Sequence, residues 1–427
     1  MKGVSPTLLP EFLVSLERPF HSRRAIEHYQ EAALRRLVEH AFEHVPFYRR
    51  HFDRHGLRPA DVRRLADLHR LPPVSRRELQ HAAVADRTAS GVDLERCHSY
   101  ETSGSSGEPL RIVRTPHEDA RLFGRRLRAQ VFSGLRPWDL RVNIGSPRRL
   151  FRWHRLGAFR IRTVVNRQPH EGILDQLAAL EPDIWIVSPE TLELLIEQSA
   201  DGRSRPTPRQ IFTGANQLLP SVRRRGEGIF AAPVTDFYGT TECNLVAWEC
   251  RHCGLYHTSD DSVIVELVRE DGRDAAPGED GEVVLTTLHS FAMPFLRFRL
   301  GDLARRPRET RRCAIHFAAL ERIEGRVTDY IRTPGGQRVG PFRIMDALDE
   351  LPGVRRWQMV QRALNRVEVQ FEPRPQADEG GVARAIVERC AELFPPEVEI
   401  EPRAIRFDDD GAAGGAKLRF VRAMEST

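Results

Sequence analysis

Apolar residues recur at helical spacing over residues 22–55, where Ile26, Tyr29, Ala33, Leu37 and Ala41 fall on one face. The run meets Val45-Pro46-Phe47-Tyr48, and a proline, which has no N–H to give, is expected to stop the helix there. Residues 57–80 read as short helices around Leu71-Pro72-Pro73, followed by a polar Ser/Gly loop and a strand at 111–114. Helical spacing resumes over 117–134. Apolar runs of strand length then fall at 141–145, 161–165, 184–188, 210–213 and 233–237, most of them separated by helical stretches such as 170–180 and 190–199. Such alternation predicts an α/β fold with a largely parallel sheet. From residue 262 short strands dominate, as in Val263–Val268 and Glu282–Thr287, and predict a β-rich subdomain. Beyond Arg326 the pattern gives a helix near 342–350, strands near 355–372, a helix at 380–393 and strands at 397–407. The chain is therefore expected to divide into a large N-terminal domain, 1–327, and a small mobile α+β domain, 328–427.

Composition narrows the function. The net charge of +5 is spread as Arg mixed with Glu and Asp, with no basic block of the kind a nucleic-acid tail shows. No apolar run approaches the roughly 20 residues of a membrane span, and the N-terminus lacks a signal peptide's charged start and apolar centre. A cytoplasmic protein with neither nucleic-acid nor membrane partner is expected, and a homodimer is compatible with the sequence. Six cysteines in 427 residues do not make a disulfide framework. Only two of the 65 basic residues are lysine, Lys2 and Lys417. A chain that uses arginine for generic charge and keeps a lysine needs a compact point charge in a tight space.

The richest chemistry lies in residues 99–110, Ser-Tyr-Glu-Thr-Ser-Gly-Ser-Ser-Gly-Glu-Pro-Leu. Thr102, Ser103, Ser105 and Ser106 offer four hydroxyls, while Gly104 and Gly107 let backbone N–H groups approach a ligand, a combination suited to phosphate oxygens. The Gly-Lys-Ser/Thr ending of the helix-opening phosphate loop is missing, which excludes a kinase or GTPase of that type. Four further stretches accompany it. Asp236-Phe237-Tyr238-Gly239-Thr240-Thr241-Glu242 puts a ring that can stack on a base beside a carboxylate that can hold Mg²⁺. Arg297-Phe298-Arg299-Leu300-Gly301-Asp302 carries an Asp able to accept both hydroxyls of a ribose. Glu324-Gly325-Arg326-Val327-Thr328-Asp329 falls at the domain boundary, and Gly414-Gly415-Ala416-Lys417-Leu418-Arg419 carries the rare lysine.

Together, and in this order, these motifs resemble the adenylate-forming superfamily of acyl- and aryl-CoA ligases, adenylation domains and luciferases. The likeness is greatest to its phenylacetate-CoA ligase-like branch, and it includes Val45-Pro46-Phe47-Tyr48, Leu71-Pro72-Pro73-Val74-Ser75 and Ala292-Met293-Pro294. The resemblance implies that Thr102 to Gly107 hold the β- and γ-phosphates of ATP. It places Tyr238 and Gly239 at the adenine and acyl pocket, Thr240 among the ATP- and AMP-binding residues, Thr241 near the α-phosphate and Glu242 on Mg²⁺. Asp302 would bind the ribose, Arg326 would reach phosphate or ribose, and Lys417 would serve the adenylation step. In the family the small domain rotates between the half-reactions and withdraws this lysine. The implied activity is AMP-forming ligation of a small, aromatic carboxylic acid to coenzyme A. An amine, a hydroxyl or a carrier-protein thiol is the alternative acceptor, and a catalytically silent nucleotide-binding scaffold is the reading of another class. Trp138, Asn143, Phe212, Asn216 and Phe237 are pocket candidates by position, and each is equally a core residue.

Two departures stand out. The phosphate loop ends Gly107-Glu108-Pro109 where many members have Lys before the Pro, which removes a positive charge near the triphosphate. The pivot position two residues after Arg326 is Thr328 instead of Asp or Lys, and a β-branched residue there is expected to stiffen the hinge. A second site is expected from cysteine spacing. Cys250-Arg-His-Cys253 is followed by His257, and Cys313 lies shortly before the Arg326 motif. Some branch members are similar in carrying zinc here. In this chain the first Cys of their second pair is replaced by Arg311, so Cys253 would supply the missing thiolate and close a structural Zn²⁺ tetrad of Cys250, Cys253, His257 and Cys313.

Overall fold

The computed structural model describes residues 8–102, 109–145, 157–165, 172–200, 206–309, 312–326, 330–349, 351–407 and 420–424. The N-terminal part is helical: α1 (Leu8–Glu17), α2 (Arg23–His44), α3 (Pro46–Arg54), α4 (Arg76–His81) and α5 (Val84–Arg87). Ser22 caps α2 by accepting from Ala25 N–H, and Ile26, Ala33, Leu34, Leu37, Val38 and Ala41 form its buried face. Pro46 does end this helix, as its missing N–H requires, but it also starts α3 at the first helical position, where that N–H has no partner to lose. The stop was predicted from the sequence, and the restart was not.

The hairpin β1 (His98–Glu101) and β2 (Arg111–Arg114) frames the Ser/Gly loop, and α6 (Pro116–Phe132) follows. β1 was not expected, because four residues of mixed polarity carry no strand period. Then come β3 (Arg141–Ile144), β4 (Ile161–Val164), α7 (Ile173–Leu180), β5 (Ile184–Val187), α8 (Pro189–Ala200), β6 (Gln210–Gly214), α9 (Pro220–Phe230) and β7 (Val234–Tyr238). The strand–helix alternation gives the parallel core of one sheet, β7-β6-β5-β3-β4, as the pattern predicted. All four residues of β5, Ile-Trp-Ile-Val, are buried, as a central parallel strand covered on both faces requires. β8 (Ala247–Glu249), β9 (Tyr256–Thr258) and β13 (Ala319–Leu320) extend this sheet antiparallel to eight strands. β10 (Val263–Val268), β11 (Asp280–Thr287), β12 (Phe298–Arg305) and β14 (Arg322–Arg326) form the β-rich part, a four-stranded antiparallel sheet.

The C-terminal residues add the short hairpin β15 (Ile331–Arg332) and β16 (Arg338–Val339), then α10 (Pro341–Leu348), β17 (Val354–Ala363), β18 (Arg366–Pro373), α11 (Glu379–Ala391), β19 (Glu399–Ala404) and β20 (Val421–Arg422). They make their own mixed sheet, β19-β18-β17-β20. This portion rests on α8 and α9. Asp349 accepts hydrogen bonds from Ser221 N–H (2.9 Å) and Ser221 Oγ (2.6 Å), at the start of a helix whose N-cap, Leu219, has no capping side chain. Arg355 forks onto both carboxylate oxygens of Glu197 and also pairs with Glu372. Among the described residues no helix is long and apolar enough to cross a membrane.

Candidate active site

β7 and β8 form a hairpin whose turn holds Gly239 to Glu242. Gly239 is required there: a Cβ would lie 2.4 Å from the Asn244 carbonyl oxygen, because the turn folds back so that Asn244 N–H reaches Thr240 O at 2.8 Å. The tight turn carries Glu242 inward, where it is 2% exposed. A buried carboxylate needs a counter-charge, and here it comes from Arg76, whose Nη2 lies 2.9 Å from Glu242 Oε1. The other terminal nitrogen of Arg76 donates to Thr102 Oγ1 at 2.9 Å.

Thr102 closes the neck of the Ser/Gly loop. Its N–H donates to Leu110 O (3.1 Å), and its hydroxyl oxygen accepts from Leu110 N–H (2.9 Å). Arg114, at the end of β2, donates to the Thr241 carbonyl and pairs with Asp119, which in turn accepts from Tyr100 and contacts His98 Nδ1. The hairpin framing the loop is thus tied both to α6 and to the Thr241–Glu242 turn.

Asp302 on β12 reaches the same place from the other sheet. Tyr238 donates to its Oδ2 at 2.6 Å, and across the ladder Asp302 is the register partner of Arg326 on β14. Burial, and then the negative charge of Asp302, hold the Tyr238 phenol well above its usual pKa, so it remains a donor. The structure therefore brings Thr102 and Asp302, distant in sequence, to the two ends of the consecutive stretch Tyr238, Gly239, Thr240, Thr241 and Glu242: Thr102 to Glu242 through Arg76, and Asp302 to Tyr238. Ser103 to Gly107, Thr328 and Lys417 lie outside the described residues, as does the Arg326 side chain. Among the pocket candidates, Phe212 and Phe237 pack edge to face inside the core at 5.1 Å, and Trp138 is 66% exposed. Sequence reading missed Arg76 and Arg114, since one arginine among 65 basic residues carries no signal of its own.

Cys250 and Cys253 lie in the turn of the β8–β9 hairpin, His257 lies on β9, and Cys313 comes from the segment before β13. Ligand atoms of Cys250, Cys253, His257 and Cys313 all lie within 4.8 Å of one another. Cys250 Sγ is 3.7 Å from Cys313 Sγ, and Cys253 Sγ is 3.5 Å from His257 Nε2. A tetrahedral zinc with sulfur bonds of about 2.3 Å sets its thiolates about 3.7 Å apart. The donor set thus fits that ion in kind and in spacing. His257 Nδ1 faces the Phe317 carbonyl at 3.3 Å, which leaves Nε2 as the coordinating nitrogen.

Comparison with known proteins places this arrangement. The chain is 30% identical over 322 residues to a phenylacetate-coenzyme A ligase of Escherichia coli (strain K12), a match covering 71% of each chain. The chain belongs to the phenylacetate-CoA ligase family. A second family member, from Thermus thermophilus, is 27% identical over 349 residues, covering 78% of this chain and 77% of that one. No family model matches the chain. Among solved structures, 2-hydroxyisobutyryl-CoA ligase in the postadenylation state shares the fold with a TM-score of 0.77 at 19% identity, covering 91% of this chain and 88% of its own. The same ligase in the thioesterification state, with an acyl-AMP and CoA, gives 0.62 at 20% identity over 93% of this chain and 89% of its own. This family member therefore has the adenylate-forming CoA-ligase fold that its motifs implied.

Proposed function

We propose that the protein is an AMP-forming ligase that activates a small carboxylic acid with MgATP to an acyl-adenylate and transfers the acyl group to coenzyme A. Membership of the phenylacetate-CoA ligase family supports the reaction. The observation that supports the site is that Arg76 joins Thr102 to Glu242 while Tyr238, four residues before Glu242 on the same strand and turn, is hydrogen-bonded to Asp302 of the other sheet. An aromatic acid is the substrate class that the family favours.

In the first half-reaction a carboxylate oxygen of the acid attacks the α-phosphorus of ATP, a P–O bond forms, and pyrophosphate leaves with the electrons of the α–β bridge bond. Both partners are anions, so positioning and preorganised charge supply most of the acceleration. The Ser/Gly loop from Thr102 to Gly107 holds the β- and γ-phosphates, Asp302 the ribose hydroxyls, and Tyr238 fixes Asp302. Gly239 and Thr240 border the acyl and adenine pocket, Thr241 lies by the α-phosphate, and Arg326 reaches phosphate or ribose. Glu242 is the residue that would hold Mg²⁺, which supplies charge neutralisation on the phosphates when bound. Lys417 brings a point charge between the carboxylate and the α-phosphate. In the second half-reaction the CoA thiolate attacks the acyl carbonyl and AMP leaves. Residues 1–327 and 328–427 act as the large domain and the small rotating one, with Thr328 at the pivot. Cys250, Cys253, His257 and Cys313 are the residues that would hold a structural zinc, which would cross-link the β8–β9 turn to the segment before β13.

The test is exchange of labelled pyrophosphate into ATP across a panel of benzoates, hydroxy- and aminobenzoates, phenylacetates and short aliphatic acids. Exchange should depend on one cognate acid, and adding CoA should release AMP and thioester. ATP binding without exchange for any acid overturns the ligase reading in favour of a nucleotide-binding scaffold. Exchange without thioester moves the acyl group to an amine, hydroxyl or carrier thiol.

A further inference from the structure

Arg76 belongs to none of the motifs, yet it bridges two of them. Its segment is sewn to the strand that carries Asp302: Val74 N–H donates to Arg297 O at 2.8 Å, and Arg299 N–H donates to Val74 O at 2.9 Å. Its guanidinium lies 5.9 Å from the centre of the Phe298 ring, and the side chain is 25% exposed, so the group is held but reachable. From there it forks between Thr102 Oγ1 and Glu242 Oε1, each at 2.9 Å.

Resting on the ligase reading, we propose that Arg76 is an exchangeable counter-ion: it neutralises Glu242 in the structure seen here and turns to the β- and γ-phosphates when ATP binds. Two observations carry this. Thr102, one of its two partners, opens the loop assigned to those phosphates, so a guanidinium on Thr102 already stands at their edge. The five donors of a guanidinium form a rigid fork that matches phosphate as well as carboxylate, so the change of partner needs rotation of one side chain and no movement of α4. Glu242, 2% exposed, cannot be left without a cation. Arg76 and a divalent ion on Glu242 are therefore alternatives for the same carboxylate, and the arginine is released as the nucleotide brings its own metal.

The inference separates nucleotides by their outer phosphates. Equilibrium binding of ATP, pyrophosphate and AMP to the full chain, measured by calorimetry at several Mg²⁺ concentrations, should be compared for the wild type, Arg76→Gln and Arg76→Lys. Arg76→Gln is expected to weaken ATP and pyrophosphate by about tenfold or more, the usual size of a lost charge-assisted contact, while AMP stays within about twofold. Half-saturation by Mg²⁺ should move to lower concentration in Arg76→Gln, because its competitor for Glu242 is gone. Arg76→Lys, which keeps the charge without the fork, should recover part of the ATP affinity. Equal weakening of all three ligands, or of none, would overturn the proposal and make Arg76 a scaffold residue. If Arg76→Gln melts well below the wild type, the same ATP-against-AMP comparison in Arg76→Lys decides. A wild type that binds no ATP fails the ligase reading itself, a result distinct from loss of selectivity in the variants.

Discussion

Tyr238 and Asp302 meet across two sheets, with the phenol donating to Oδ2 at 2.6 Å. Removing the hydroxyl leaves the carboxylate in place but loses the bond that orients it. Tyr238→Phe should raise the KM for ATP by about fivefold, the worth of one hydrogen bond, with a smaller change in kcat. Steady-state kinetics with ATP varied at saturating acid would check this, and an unchanged KM would remove Tyr238 from ribose binding.

Lys417 is one of two lysines in the chain. Lys417→Ala and Lys417→Arg should each slow acyl-adenylate formation by orders of magnitude, while conversion of supplied acyl-adenylate to thioester survives. Single-turnover assays of the two half-reactions separate these steps, and equal loss of both would make the lysine structural.

The tetrad predicts about one zinc per chain in protein prepared without chelator, read by elemental analysis. Cys313→Ser should lower the melting temperature and abolish stoichiometric zinc, since a metal bound only to the native state contributes its binding energy to folding. Absence of metal from purified protein that is fully folded would dismiss the site.

His289 provides a pH prediction. Arg121 donates to its Nδ1 at 3.1 Å, so that nitrogen must be unprotonated, and Nε2 faces the Tyr29 hydroxyl (2.8 Å) and the Asp261 carbonyl (3.1 Å). Burial first, then Arg125 and Arg121, hold its pKa well below the ordinary value near 6.5. The unfolded chain therefore binds the proton first as pH falls. Stability contributed by the neutral ring is complete above about pH 6.5 and is lost progressively below it. Denaturation midpoints between pH 7.5 and 5 should fall for the wild type and fall less for His289→Gln. Parallel curves would remove His289 as the source.

The parallel core was legible because buried strands such as β5 are continuous apolar runs between amphipathic helices. The motifs around Glu242 and Asp302 were legible because each sets a glycine beside its polar residues, Gly239 in a turn and Gly301 at positive φ within β12. What the sequence concealed is long-range polar pairing. Nothing local distinguishes Arg76 from its neighbour Arg77, yet only the former is bonded to a residue 166 positions away. The same holds for β1, which is a strand because β2 pairs with it and not because of its own pattern. The restart of the helix at Pro46 was missed for a different reason: a proline stop and a proline start are the same letter.

The first turn of α9 is completed by Asp349, 128 residues further along the chain. The Ser221 amide consequently serves as a built-in reporter. Were the C-terminal portion to lift from α8 and α9, that N–H would lose its acceptor and become open to solvent deuterium, whereas amides deeper in the helix would keep theirs. Its exchange rate, followed with ATP, acid and CoA added in turn, would give the undocked fraction at each stage without a label on the protein.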